Sequence, residues 1–170
     1  MILTKIREKT LNFHDDFTSW AANILNGTIS LEQYKFVLKT FYGFYYPLEE
    51  KIYSLEEIND LELSLERRRK TKLLVKDMKV LGITQDEIDS IKMCSSLPDL
   101  NNTAKVLGCM YVIEGATLGG QIIAKKLNET LNLEQDNGCA FFNSYNEDLR
   151  PLWKEFCYSI NKYSEYTQIE

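Results

Sequence analysis

The sequence predicts an all-α protein built as one domain, and three observations carry that expectation. Apolar residues recur with a period near 3.6 along most of the 170 residues, and no stretch alternates as a strand would. Eight glycines and three prolines are about half the share of an average protein, so turns are few and elements long. Hydrophobic residues make up 44% and charged ones 26%, enough apolar material for a core without disulfides or a structural metal. A single domain over 1–170 is expected, with a polar tail from about 164 that frays.

Leu3, Ile6, Phe13, Phe17, Trp20, Ala21 and Ile24 mark the inner face of a first helix, which Asn26-Gly27 ends. Ser30 and Gln33 form a capping box that opens a second, with Tyr34, Val37, Leu38, Phe41 and Tyr45 facing inward. Pro47 lacks an N–H and is expected to kink or break it. A third helix is expected from about Leu61 to Leu81 with Gly82 as its stop, and Thr84 caps a short one over QDEIDSIK. The longest candidate runs from about Asn102 to Leu131, and a loop, DNGCAFFNSY, separates it from a last helix over about Glu147–Tyr163.

A formal charge of −5 provides no basic excess to displace counterions from phosphates, so no nucleic-acid partner is expected. Cys94, Cys109, Cys139 and Cys157 contain no CxxC pair, which excludes zinc-ribbon and thioredoxin-type sites and suggests buried small hydrophobes. The N-terminus has no uninterrupted apolar stretch of the signal-peptide kind, and the most apolar run, 106–113, is too short to span a bilayer. These features predict a reduced, cytoplasmic protein with no membrane partner.

His14 is the sole histidine. Multi-histidine zinc sites, Ser-His-Asp machinery and a di-iron bundle with two Glu-x-x-His motifs are therefore excluded or left incomplete. The acidic pairs Asp15–Asp16, Glu49–Glu50 and Glu56–Glu57 are then expected to be solvated faces. Arg7, Thr10 and His14 share one face of the first helix, and seven residues advance about 10 Å. An imidazole and a guanidinium so spaced can address the centre and the anionic edge of one flat ligand. The same spacing also suits a half-buried histidine bonded to a backbone carbonyl.

Gly115, Gly119 and Gly120 interrupt the apolar helix MYVIEGATLGGQIIAKKL, where each glycine costs up to about 1 kcal/mol against alanine. Gly115 and Gly119 share a face on which missing Cβ atoms let something approach the backbone, and three glycines in six residues invite a bend. Close helix packing, or a break between two helices, would use the same residues. No strand precedes them, and the spacing fits neither GxGxxG nor the P-loop.

YVIEGATLGGQ resembles the distal-helix motif of bacterial, biliverdin-producing heme oxygenases, particularly the phytochrome-associated type, commonly YVxEGSxLGG. IREKTLNFHDDF (6–17) is similar to the family's proximal helix, and YGFYYPLEE (42–50) to its YG-x-Y-x-PLE segment. RRRKTKLLVKDMKVLG (67–82), FFNSY (141–145) and Trp153 also agree in order and distance, so the resemblance covers nearly the whole chain.

The resemblance implies a heme oxygenase-like fold in which haem, as substrate and cofactor, lies between His14 as iron ligand and a kinked distal helix over Gly115 and Gly119. It implies cleavage of haem by dioxygen to biliverdin, carbon monoxide and ferrous iron. It places Arg7 first and Lys126 second at the haem propionates, Tyr111 and Phe17 along the ring faces, and Thr10 and Gly120 in the same binding surface. Lys126 is also compatible with a plain surface role, and Tyr111 and Phe17 with plain core packing. Ala116 stands where many members carry an aspartate that anchors a distal water network, leaving proton supply open. No flavin or nicotinamide fingerprint occurs, so electrons are expected from a ferredoxin or reductase-type donor, with a bacteriophytochrome as a candidate acceptor of product. The alternative is a haem-binding, storage or sensor module of the same fold without efficient turnover.

Overall fold

The computed structural model describes residues 2–6, 8, 9, 21–55, 58, 61 and 63–167. Residues 2–6 and 8–9 are helical. From residue 21 onward come α1 (Ala22–Leu25), α2 (Leu31–Tyr53), α3 (Leu65–Arg68), α4 (Thr71–Val80), α5 (Gln85–Asp89), α6 (Thr103–Leu131) and α7 (Leu149–Thr167), with a 3-10 turn at Asn146–Asp148. Among the described residues no strand occurs, only isolated bridges at Glu134. The fold is all-α, as the periodicity predicts.

Local chemistry sets the boundaries. The Ser30 hydroxyl accepts from Gln33 N, and the Gln33 side chain accepts from Ser30 N, which is the expected capping box. Gly27 (φ +68°) and Gly82 (φ +81°) take the left-handed conformation that stops the preceding turn. Pro47, expected to kink or break its helix, lies inside an unbroken α2. Its missing N–H leaves the Gly43 carbonyl free, and Cys94 N fills that place at 2.8 Å. A Cβ on Gly43 would lie 2.7 Å from the Lys92 carbonyl oxygen, so the glycine makes room for the segment that repairs the proline.

The single helix expected over 61–81 is instead two. Arg69 turns extended (φ −67°, ψ 114°) between α3 and α4. The break frees the first N–H groups of α4, and Glu49 receives them, at 2.5 Å from Lys70 N and within 3.4 Å of Thr71 N. Glu49 is therefore buried and its predicted solvated role is wrong, whereas Glu50 is exposed and pairs with Arg69. Asp15, Asp16, Glu56 and Glu57 lie outside the described residues. The last helix begins at Leu149 and continues to Thr167, past the expected fray point. Only Cys139 of the four cysteines is buried; the others are half-exposed, contrary to expectation.

Unbroken through Gly115, Gly119 and Gly120, α6 is the core helix. It packs on α1 and α7, while α2 packs on α4. By length and composition α6 is long and apolar enough to cross a membrane, although the run 106–113 alone is too short. In the fold it buries Val106, Met110, Ile113, Ile123 and Leu127. Behind it, residues 139–145 bring Phe141 and Phe142 against Phe41 and Tyr45, with ring centroids 5.1 to 5.7 Å apart. Asp77 of α4 anchors this segment by accepting Ala140 N at 2.7 Å and Phe141 N at 2.8 Å.

Burial pushes the Asp77 carboxyl up to about 6, against the downward pull of those two N–H donors. An ordinary aspartate titrates near 3.9, so the native state binds this proton more tightly than the unfolded chain. The stability contributed by that difference is present below about pH 4 and is lost as pH rises through about 6. Asp77→Asn cannot ionise and forfeits an acceptor, costing about 1–3 kcal/mol. Urea unfolding of both proteins should show a gap that is widest near pH 4 and narrows towards pH 7.

Candidate functional site

Arg7, Thr10, His14 and Phe17 lie outside the described residues. The other six expected site residues all lie on α6, in two orientations. Tyr111, Gly115 and Gly119 follow one another at four-residue intervals along one side. Tyr111 meets the Trp153 ring at 5.5 Å, and a Cβ on Gly115 would sit 3.6 Å from the edge of the same indole. A Cβ on Gly119 would meet nothing within 4 Å among the described residues. Beside it, Ala116 is exposed, and Val112 and Ile122 are 57% and 61% exposed. This strip is apolar, poor in side chains and open, which fits a flat apolar ring laid against the backbone.

Gly120 has a different duty. A Cβ there would lie 2.5 Å from the Phe142 carbonyl oxygen, so its absence lets α6 close on the segment held by Asp77. Lys126, half-buried one helical stretch beyond Gly119, pairs with Glu129 at 2.7 Å. Among the described residues no group of His, Cys, Asp and Glu side chains is placed to hold a metal ion.

The inner side of α6 carries charge. Glu114, 1% exposed, accepts from Arg68 Nη1 at 2.6 Å and from the Tyr145 hydroxyl at 2.8 Å to each oxygen. Lys70 Nζ lies 3.6 Å from Glu114 and 3.5 Å from the centre of the Tyr145 ring. Arg68, itself fully buried, also donates to Leu152 O and to Glu155, both at 3.1 Å. Burial opposes the Arg68 charge, but Glu114, Tyr145 and Glu155 outweigh it and hold its pKa above the usual value. Burial, reinforced by Glu114, pushes the Tyr145 phenol far up, so it stays a donor. Tyr145 sits at φ +74°, a strained conformation for a residue with a Cβ. Its hydroxyl bonds to Glu114 hold it there.

None of Arg68, Lys70, Asp77, Glu114 or Tyr145 is singled out by residue type alone, though each falls inside a stretch that carries the family resemblance. The available signal is phase: Glu114 stands on the buried side of α6 in line with Met110 and Thr117, where a solvated acid would not be tolerated.

Removing one partner of a buried ion pair strands the other. Glu114→Ala should therefore lower unfolding free energy by about 3–5 kcal/mol. Replacing both members by apolar residues, Glu114→Leu with Arg68→Met, should recover a large part of that loss. Chemical denaturation of the two variants checks the difference.

The model of the Heme oxygenase family matches residues 1–168 of the chain. No curated protein and no solved structure matches it. A family match over essentially the whole length accords with the all-α fold and with an open, glycine-lined helix face: the chain belongs to the heme oxygenase family of haem-degrading enzymes.

Proposed function

We propose that this chain is a biliverdin-producing heme oxygenase of bacterial type, which opens haem with dioxygen and externally supplied electrons and releases carbon monoxide and ferrous iron. Supporting this most directly is the strip of α6 at Ala116 and Gly119, open and apolar on a helix whose other side is pinned by buried charge.

Haem, when bound, supplies the iron that activates dioxygen against its own ring. His14 would hold that iron through a neutral imidazole nitrogen. Arg7, seven residues before His14 in sequence with Thr10 between them, would pair with a propionate. Lys126 would serve the other by leaving Glu129, an exchange that forfeits only about 0.2–0.5 kcal/mol for a surface i,i+3 pair. Tyr111 and Phe17 would border the ring. Gly115 and Gly119 would let backbone, rather than side chain, lie over its distal face, while Gly120 keeps α6 seated. The electron source in this proposal is a ferredoxin or reductase-type partner, and a bacteriophytochrome is a candidate receiver of the product.

Purified protein should bind hemin one to one. With ascorbate or a ferredoxin–reductase system in air, the Soret band should decay as a biliverdin spectrum grows. His14→Ala should remove the imidazole signature of the ferric complex and abolish turnover. A Soret band that persists under reductant and air in the native protein would instead indicate haem storage.

Gly119→Leu would project a side chain into the open strip. Turnover should fall about tenfold or more while hemin affinity changes far less, because a displacement of about 1 Å at the reacting centre is enough. Parallel hemin titrations and degradation rates separate the two effects.

A further inference from the structure

A small, partly open cavity of about 40 Å³ lies behind α6, lined by Tyr45, Gly120 and Phe142, with Lys70, Thr117 and Ser144 as its polar wall. Ala116 also lines it, and Ala116 is exposed on the open strip of α6. The cavity therefore shares one wall residue, Ala116, with the open strip and another, Lys70, with the buried charge cluster. Its volume suffices for a few waters, since one needs about 10–15 Å³.

Lys70 is the unusual member of the wall. It is 1% exposed, yet among the described residues Nζ donates no hydrogen bond. Glu114 at 3.6 Å is beyond hydrogen-bond range, and the Tyr145 ring offers only its face. An ammonium ion in that state has strong demand for an acceptor, and water is the acceptor that a cavity of this size admits. Thr117 has already committed its hydroxyl hydrogen to the Glu114 carbonyl at 2.5 Å, which leaves its oxygen able only to accept.

Oxygenation that releases water consumes protons, and the strip of Val112, Gly115, Ala116, Gly119 and Ile122 has no titratable side chain of its own. Resting on the haem-degrading function proposed above, we propose that Lys70 is a positioning residue for proton supply: its ammonium group anchors water in this cavity, and that water presents its protons to the open face at Ala116. No electron moves in this step. A water proton passes to the open face, and solvent restores it along the same water path.

Among the described residues, four charged or titratable groups face Lys70: Glu49 from α2, Arg68 from its own segment, Glu114 from α6 and Tyr145 from the loop. Burial pulls the Lys70 ammonium down to about 8, with Glu114 and Glu49 opposing that fall and Arg68 adding to it. The cation polarises the water it anchors, a task that needs the charge to stay in place.

The test compares native protein with Lys70→Met and Lys70→Arg. A crystal structure of the haem-free native protein should show water within about 3 Å of Lys70 Nζ; a dry cavity overturns the proposal whether or not the variants fold. Lys70→Met should bind hemin as the native protein does. The pH midpoint of the Soret change in its ferric complex should move by about one unit. Hemin degradation should slow roughly 10- to 100-fold, and Lys70→Arg should restore most of the loss. An unchanged midpoint and rate in Lys70→Met, beside native protein that degrades hemin, overturns this proposal alone. Native protein that binds no hemin overturns the haem function and the proton role with it.

Discussion

Glu114 is the constraint on which the rest of the structure depends. A carboxylate at 1% exposure survives inside a protein only if donors replace the water it gives up. Its donors come from Arg68, ahead of α4, and from Tyr145, in the loop before α7, with Lys70 as a second nearby cation. Each partner is tied elsewhere in turn. The N–H of Lys70 is held by Glu49 of α2, and the guanidinium of Arg68 reaches Leu152 and Glu155 of α7. One side chain on α6 therefore fixes that helix against four other parts of the chain. A shift of one residue along α6 would turn Glu114 by about 100° and strand every partner. The cluster contributes register more than it contributes net stability, because desolvating so many charges consumes most of their mutual attraction.

The paired glycines of α6, Gly119 and Gly120, illustrate how one residue type meets opposed demands. Gly120 is required because backbone comes too close: the Phe142 carbonyl occupies the place of a Cβ. Gly119, its neighbour in sequence, borders open space among the described residues. Each gives up about 1 kcal/mol of helix propensity, yet among the described residues packing repays only that of Gly120. Such an uncompensated loss is expected where a local rule has yielded to binding. The helix stays unbroken through Gly115, Gly119 and Gly120, so packing on both flanks outweighs the break that propensity invites.

Much of this is legible in the sequence. Capping boxes at Ser30 and Thr84 and stops at Gly27 and Gly82 fall where side-chain chemistry puts them, since a cap is decided within four residues. Pro47 was legible as a fault in α2 but its repair was not, because the substitute donor, Cys94, is remote in sequence. The break at Arg69 and Lys70 was hidden for the same reason: Glu49 rewards the freed N–H groups only once α2 and α4 are packed together. Glu49 itself looked like a surface acid beside Glu50. Adjacent helical residues point about 100° apart, so one can be buried while the next is solvated, and only tertiary packing decides which. Of the site, the glycine strip was legible through its conflict with propensity. The charged support beneath it was not, because Arg68, Lys70 and Tyr145 declare a role only when the loop before α7 folds back on α6.

The two sides of α6 make one physical design. Its apolar content exceeds what the fold buries, since 44% of its most apolar stretch is covered, and the excess lies partly where Val112 and Ile122 face outward. Leaving such a strip exposed is unfavourable by about 25 cal/mol per Å² of apolar surface, so a ligand that covers it gains that amount on binding. The gain is usable only if the strip keeps its shape while empty. The buried cluster secures this from behind, through bonds that no ligand on the open side needs to disturb. Rigidity and access are thus separated by the thickness of one helix: charge compensation on the inner face holds the backbone still, and missing side chains on the outer face leave it bare.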